Sequence, residues 1–190
     1  MDELKFYDVD QQYLRYLHQW DPRIPHISST RNEKFTCGIV LEVNGHQYFA
    51  PVSSFREQQR SNIVILNNQG RPVGSVRFSF MFPIPSGQAK MKDFAKEDAK
   101  YRELLREEHA FCNKHRERIR KKAQETYDAV VKRKEPLMIS NCCAFSLLEE
   151  KALEYVLAVE EVRLAAKEVA PIDQKGIRTH TTRPSDGRDR

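Results

Sequence analysis

Two apolar runs, Phe35–Val43 and His46–Val52, meet at Asn44-Gly45. That dipeptide favours the paired positive φ angles of a type I′ turn, so the segment predicts a tight antiparallel hairpin. A two-residue loop fixes the register: Val43 faces His46, Leu41 faces Tyr48, and Ile39 faces Ala50. One face then carries Phe35, Cys37, Ile39, Leu41 and Val43 with Tyr48, Ala50 and Val52, and reads as core. The other carries Lys34, Thr36, Gly38, Val40 and Glu42 with Gln47, Phe49, Pro51 and Ser53, and is mixed. Such a hairpin commits the chain to an antiparallel sheet with one covered face.

Further strands are expected at Lys5–Val9, Ile63–Leu66 and Val73–Phe82, the last two joined by the turn-rich Asn67–Pro72. Asp10 is placed to cap a helix carrying Tyr13, Leu14, Leu17 and Trp20, which Pro22 and Pro25 terminate. The second half changes period. Lys92–Lys134 reads as one or two helices with Phe94, Tyr101, Leu104, Leu105, Phe111 and Ile119 inward, ended by Pro136. A last helix is expected over Ser146–Ala170, with Leu148, Ala152, Tyr155, Val156, Val159 and Val162 on one face. The fold class is therefore α+β: a compact twisted antiparallel sheet packed with helices, with a long helical C-terminal half. Residues 1–170 read as a single domain, and 171–190 as a disordered tail or an expression remnant.

Composition narrows the function classes. With 39% hydrophobic residues in 190, the chain has material for a core. No apolar run approaches the roughly 20 residues of a membrane-spanning helix. The N-terminus lacks a secretory pattern, so a cytoplasmic protein is expected. The net charge of +5 is uneven. Residues 90–135 hold fifteen Lys/Arg against ten Asp/Glu, whereas 147–170 hold three against six. The basic maximum is Asn113–Lys122, with Lys114, Arg116, Arg118, Arg120, Lys121 and Lys122. A run like this either borders a polyanion, gaining affinity by counterion release, or is a solvated helix face. Tyr101, Phe111 and Tyr127 lie nearby and are candidates to stack on unpaired bases.

Catalytic patterns are sparse. The cysteines, 37, 112, 142 and 143, have no zinc-ligand spacing and read as buried thiols. His18, His26, His46 and His109 show no pairing that would supply an acid and a base. No Walker-type loop, G-x-S-x-G or metal-binding cluster is present, so neither a cofactor nor a metal is expected. Extending the hairpin register sets Ser53 opposite Thr36 and Ser54 opposite Phe35, with Lys34 beside Ser53. An ammonium and hydroxyls at the open end of a sheet can hold a phosphate and offset charge developing on it, or can be ordinary solvated turn residues.

The chain resembles the ToxN/AbiQ family of toxins from type III toxin–antitoxin systems. The strings that carry the likeness are Lys5-Phe6-Tyr7 with Tyr13-Leu14 and Tyr16-Leu17; Lys34 with Gly38-Ile39-Val40-Leu41-Glu42; Gly45-His46 with Tyr48 and Ala50-Pro51; Phe80-Met81 with Pro83-Ile84; and Asn141 with Phe145–Lys151. The resemblance implies a MazF/Kid-like fold and a metal-independent endoribonuclease that cuts A-rich single-stranded RNA. The 2′-hydroxyl attacks the adjacent phosphorus, leaving 2′,3′-cyclic phosphate and 5′-hydroxyl ends. It also implies inhibition by an RNA pseudoknot that the toxin cuts from a repeat precursor. Toxin and RNA would alternate in a closed ring of two or three copies each, released against cellular and phage RNA during infection.

Carried over by motif, the catalytic residues fall on Lys34, Ser53, Ser54 and Arg56. In that scheme Lys34 stabilises the phosphorane-like charge, Ser53 or Ser54 positions the phosphate or relays a proton, and Arg56 clamps a neighbouring phosphate. Tyr13, Thr30 and Arg31 join the basic segment as RNA contacts; Thr30 stands where some relatives have a tyrosine. Two rival expectations are a non-catalytic basic RNA-binding module and a protein-interaction domain with a helical face.

Overall fold

The computed structural model describes residues 3–24 and 37–168. His26, Thr30, Arg31, Lys34, Phe35, Thr36 and the tail at 171–190 lie outside them. The first described elements are strand β1 (Phe6–Val9) and helix α1 (Gln11–His18). Asp10 caps α1 as expected, its Oδ1 accepting from the Gln12 and Tyr13 amides at 2.8 and 3.0 Å. The helix stops at His18, short of Trp20, which is left half-exposed.

The hairpin forms as predicted from β2 (Cys37–Val43) and β3 (His46–Ser53). Val43 pairs His46, Leu41 pairs Tyr48 and Ile39 pairs Ala50. Asn44 and Gly45 adopt φ of 51° and 81°, the pair of positive angles that the turn demands. β4 (Asn62–Leu66) and β5 (Pro72–Arg77) follow. The single strand expected over Val73–Phe82 is instead broken by a 3-10 turn at Phe78–Phe80, which separates β5 from a short β6 (Phe82–Pro83). The break has a tertiary cause. The Ser53 end of β3 pairs β5, and Tyr48 and Phe49 pair β6, so the chain must step along β3 between them. With β7 (Ala89–Met91) the sheet runs β4-β5-β3-β2-β1-β7, with β6 also on β3.

The mixed face of the hairpin is more covered than its pattern implied. Phe49 is fully buried under Phe82, ring centroids 5.2 Å apart, and among the described residues of that face only Glu42 and Gln47 near the turn are exposed. Gly38 lies beneath the Phe49 ring; a Cβ there would come within 2.6 Å of its Cζ and collide with the Ala50 carbonyl.

The helical half begins later than predicted, because residues 92–98 hold a 3-10 turn at Phe94–Lys96 before α2 (Ala99–Lys114) starts at its Asp98 cap. His115 (φ −110°, ψ 19°) breaks the long basic stretch into α2 and α3 (Arg116–Val131). Pro136 does not simply end a helix. It occupies the first turn of α4 (Pro136–Asn141), where its missing N–H costs nothing. The chain finishes in α5 (Phe145–Glu168). The core joins the Ile39–Leu41 face of the sheet to α3 and α5 through Tyr48, Tyr127 and Phe145, the last two stacked 5.9 Å apart. Leu148 and Ala152 of α5 are buried and Tyr155 partly so, but Val156, Val159 and Val162 are exposed because no described element reaches that far. None of the described helices is long and apolar enough to cross a membrane.

Candidate functional site

Ser53 closes β3 and is 6% exposed. On the β5 side Val52 pairs Val76 and Ser53 pairs Ser75. Directly opposed residues project to one side, so Ser53 and Ser75 share a face and Val52 and Val76 the other. The Phe55 amide donates to Ser53 Oγ at 3.4 Å as the chain turns out of the sheet. Ser54 and Arg56 are exposed on the loop that follows.

That loop is pinned by a side chain that composition and motif reading overlooked. Asn62 is 1% exposed; its Oδ1 accepts from the Gln59 amide at 2.8 Å and Gln58 Nε2 at 2.9 Å, and its Nδ2 donates to the Glu57 carbonyl at 2.8 Å. A buried amide satisfied at both ends gives the exposed Arg56 a fixed base. Arg77 adds a second brace, its guanidinium carbon 4.2 Å from the Phe55 ring centre and 4.8 Å from that of Phe80. Burial lowers its pKa from the usual value.

Beneath Ser53 and Ser54 is a cavity of about 40 Å³, bounded also by Cys37, Val52, Tyr101 and Glu108. Glu108 of α2 is 4% exposed, and no hydrogen bond to its carboxyl comes from the described residues. Gly74 makes room for it: a Cβ at that position would sit 2.7 Å from both Glu108 Oε1 and the Ser53 carbonyl oxygen. Burial, with a smaller contribution from Glu107, pushes the Glu108 carboxyl up to about 7. The sequence did contain a signal. Tyr101, Leu105, Glu108 and Cys112 recur at helical spacing on α2, and an acid on such a stripe is unusual enough to ask for a role.

The basic segment spans the end of α2 and the first half of α3. Lys114, Arg118 and Lys121 are exposed and have no carboxylate within 4.0 Å among the described residues. Arg116 and Arg120 both approach Glu117, at 3.8 and 3.6 Å, and Lys122 pairs with Glu125 at 2.9 Å. Lys122 also lines a groove of about 270 Å³ with Arg60 and Arg133. Arg60 belongs to the Arg56 loop and forms an ion pair with Glu135, which ties that loop to the turn before α4.

Tyr13 is not a surface contact: it is fully buried, its hydroxyl donating to the Pro83 carbonyl at 2.8 Å, with Tyr155 packed edge-on at 5.0 Å. The resemblance counted it among the RNA contacts, but the inward face of α1 claims it. Tyr127 is likewise core rather than a stacking platform, while Tyr101 and Phe111 are half-buried. His46 is exposed beside Glu149 at 4.0 Å, His18 Nδ1 lies 2.7 Å from the Ile24 carbonyl, and His109 packs edge-on against Phe6 and Phe94. These three histidines therefore sit in separate places. All four cysteines are buried free thiols. The described residues contain no group of three or more His, Cys, Asp or Glu able to hold a metal ion.

The family model of the toxin ToxN of type III toxin–antitoxin systems matches residues 5–153. The endoribonuclease ToxN of Pectobacterium atrosepticum is 27% identical over 170 residues, covering 83% of this chain and 97% of that protein. The endoribonuclease ToxN of Bacillus thuringiensis subsp. kurstaki is 26% identical over 165 residues, covering 81% and 85%. Among solved structures, one from a type III system whose toxin is selectively inhibited by a non-coding RNA pseudoknot superposes with a TM-score of 0.73 at 24% identity, covering 81% of this chain and 98% of that one. AbiQ, a lactococcal anti-phage endoribonuclease, superposes with a TM-score of 0.70 at 19% identity, covering 82% and 99%.

Proposed function

The chain belongs to the ToxN family of endoribonuclease toxins from type III toxin–antitoxin systems, and we propose that it cuts A-rich single-stranded RNA without metal by internal transesterification. The 2′-hydroxyl attacks the adjacent phosphorus and the 5′-oxygen departs, leaving 2′,3′-cyclic phosphate and 5′-hydroxyl ends. Lys34, Ser53, Ser54 and Arg56 form the reacting site. Lys34 and Arg56 carry the positive charge that offsets the gathering negative charge on the phosphate, and the serine pair orients it. The observation that carries this reading is the Ser53–Ser54 step at the mouth of a cavity, followed by a loop that Asn62 fixes with Arg56 pointing away from the core.

Inhibition falls to an RNA antitoxin of pseudoknot units, which the enzyme cuts from their precursor and with which it closes a ring of two or three copies each. Thr30, Arg31 and the exposed cations Lys114, Arg118 and Lys121, with Arg116, Arg120 and Lys122 beside them, supply phosphate contacts. The test is incubation of the purified protein with an A-rich RNA oligonucleotide in excess EDTA, with product ends read by mass spectrometry. Cyclic phosphate and 5′-hydroxyl termini are expected. Binding without cleavage would establish the non-catalytic RNA-binding module instead.

A further inference from the structure

We propose that Glu108 is a positioning residue that takes up the attacking hydroxyl's proton through Ser54. The inference rests on the reading of Ser53 and Ser54 as the reacting site, and goes beyond it by assigning the proton an acceptor.

The geometry starts from the sheet. Ser53 shares its face with its register partner Ser75, whereas the cavity lies on the face of Val52 and Cys37, toward α2. Ser54, in the bend that follows β3, bounds the same cavity and is the exposed hydroxyl of the pair, placed between solvent-borne substrate and Glu108. Glu108 Oε1 and the Ser53 carbonyl oxygen both lie 2.7 Å from the point a Gly74 Cβ would occupy, so the carboxyl abuts the Ser53–Ser54 backbone. The intervening space of about 40 Å³ accommodates a water and is polar on two sides. A buried carboxyl that no described residue hydrogen-bonds costs stability, and a cavity opening onto the reacting residues is the place where such a cost has a use.

As the 2′-oxygen–phosphorus bond forms, the 2′-hydroxyl proton passes to Ser54 Oγ while the serine's own proton passes to the Glu108 carboxylate. The phosphorus–5′-oxygen bond breaks, and the 5′-oxygen takes a proton from water. Glu108 afterwards returns its proton to solvent through the same cavity. Among the described residues, the ionisable groups around Glu108 are Glu107, Cys112 and Tyr101 on α2 and Cys37 on β2. Burial pushes the thiols and the phenol far up, so they stay neutral near pH 7. Lys92 is engaged by Asp8 at 3.1 Å and Glu97 at 2.6 Å. This leaves Glu108 as the group of this cluster that titrates near neutrality.

The test is single-turnover cleavage of an A-rich RNA oligonucleotide between pH 5.5 and 8.5 by the parent, Glu108→Gln and Glu108→Asp proteins. The parent rate should fall on acidification with a midpoint near pH 7. Glu108→Gln should lower the rate about 100-fold or more and flatten that limb, with RNA affinity unchanged. Glu108→Asp should restore part of the rate and the limb. An unchanged pH profile in Glu108→Gln, or a parent profile flat across this range, overturns the proposal. Should Glu108→Gln fail to fold, the parent profile and the aspartate variant still decide it. If the parent protein cuts no RNA at all, the reading of the site fails. If it cuts and Ser54→Ala abolishes cutting while Glu108→Gln does not, only the role of Glu108 fails.

Discussion

Asp21 ties the end of α1 to the start of α5, and its removal should be the most damaging polar change in the fold. It is 1% exposed. Oδ1 accepts from the Arg23 amide at 3.0 Å and from Arg23 Nε at 2.9 Å, and Oδ2 accepts from the Ala144 amide at 2.7 Å. Ala144 precedes the first turn of α5, so the carboxylate also faces the positive end of that helix. Arg23 in turn donates to the Ile139 and Ser140 carbonyls, closing the clamp. Hydrogen bonds to a charged acceptor contribute about 1.5–3 kcal/mol each. They do not add fully, and the Arg23 side chain is 35% exposed, so its share is discounted. Asp21→Ala should then cost about 3 kcal/mol, roughly 6–12 °C in Tm for a chain of this size. Asp21→Asn should cost about 2 kcal/mol, because its amide presents a donor to a donor.

The pH dependence follows from the same contacts. Burial alone would raise the Asp21 pKa, but the Arg23 side chain and the Ala144 and Arg23 amides more than offset it and hold the pKa below the usual value. The stabilisation is present above the unfolded carboxyl pKa and disappears as pH falls through the lower folded one. Urea denaturation at pH 7 and across pH 2–5 checks both points. A loss under about 1 kcal/mol for Asp21→Ala, or an acid dependence that survives Asp21→Asn undiminished, would refute the reasoning.

Two other changes probe the sheet and the RNA surface. Gly38→Ala drives a methyl into the Ala50 carbonyl and the Phe49 ring, so it should cost about 2–3 kcal/mol; a urea midpoint equal to the parent's would show that the hairpin gives way more readily than this packing allows. Replacing Lys114, Arg118 and Lys121 together by Gln should reduce the slope of log affinity against log salt for single-stranded RNA by about 2, measured by fluorescence anisotropy; an unaltered slope removes these three residues from the interface.

The parts of this fold that local chemistry dictates were the parts legible in the sequence. Asn44-Gly45 specified the β2–β3 register, and Asp10 specified the start of α1, because both depend on residues adjacent in the chain. Val73–Phe82 has a continuous strand pattern, yet the competition of β5 and β6 for β3 interrupts it; no local pattern encodes that. The stripe on α5 continues past the body that could bury it, so periodicity alone overstated the core at Val156, Val159 and Val162. At the candidate site, the hairpin register accounts for the course of β3 as far as Ser53, while the expected neighbours Lys34, Phe35 and Thr36 lie outside the described residues. The hairpin does not account for Asn62 and Glu108, because the first is brought in by loop folding and the second by a helix distant in sequence.

The most direct measurement is cleavage of an A-rich RNA oligonucleotide, in excess EDTA, by the parent protein beside its Lys34→Ala and Ser54→Ala variants. The account predicts 2′,3′-cyclic phosphate ends from the parent and at least about a 100-fold lower rate from each variant, with RNA still bound. Variants that cut as fast as the parent would contradict it.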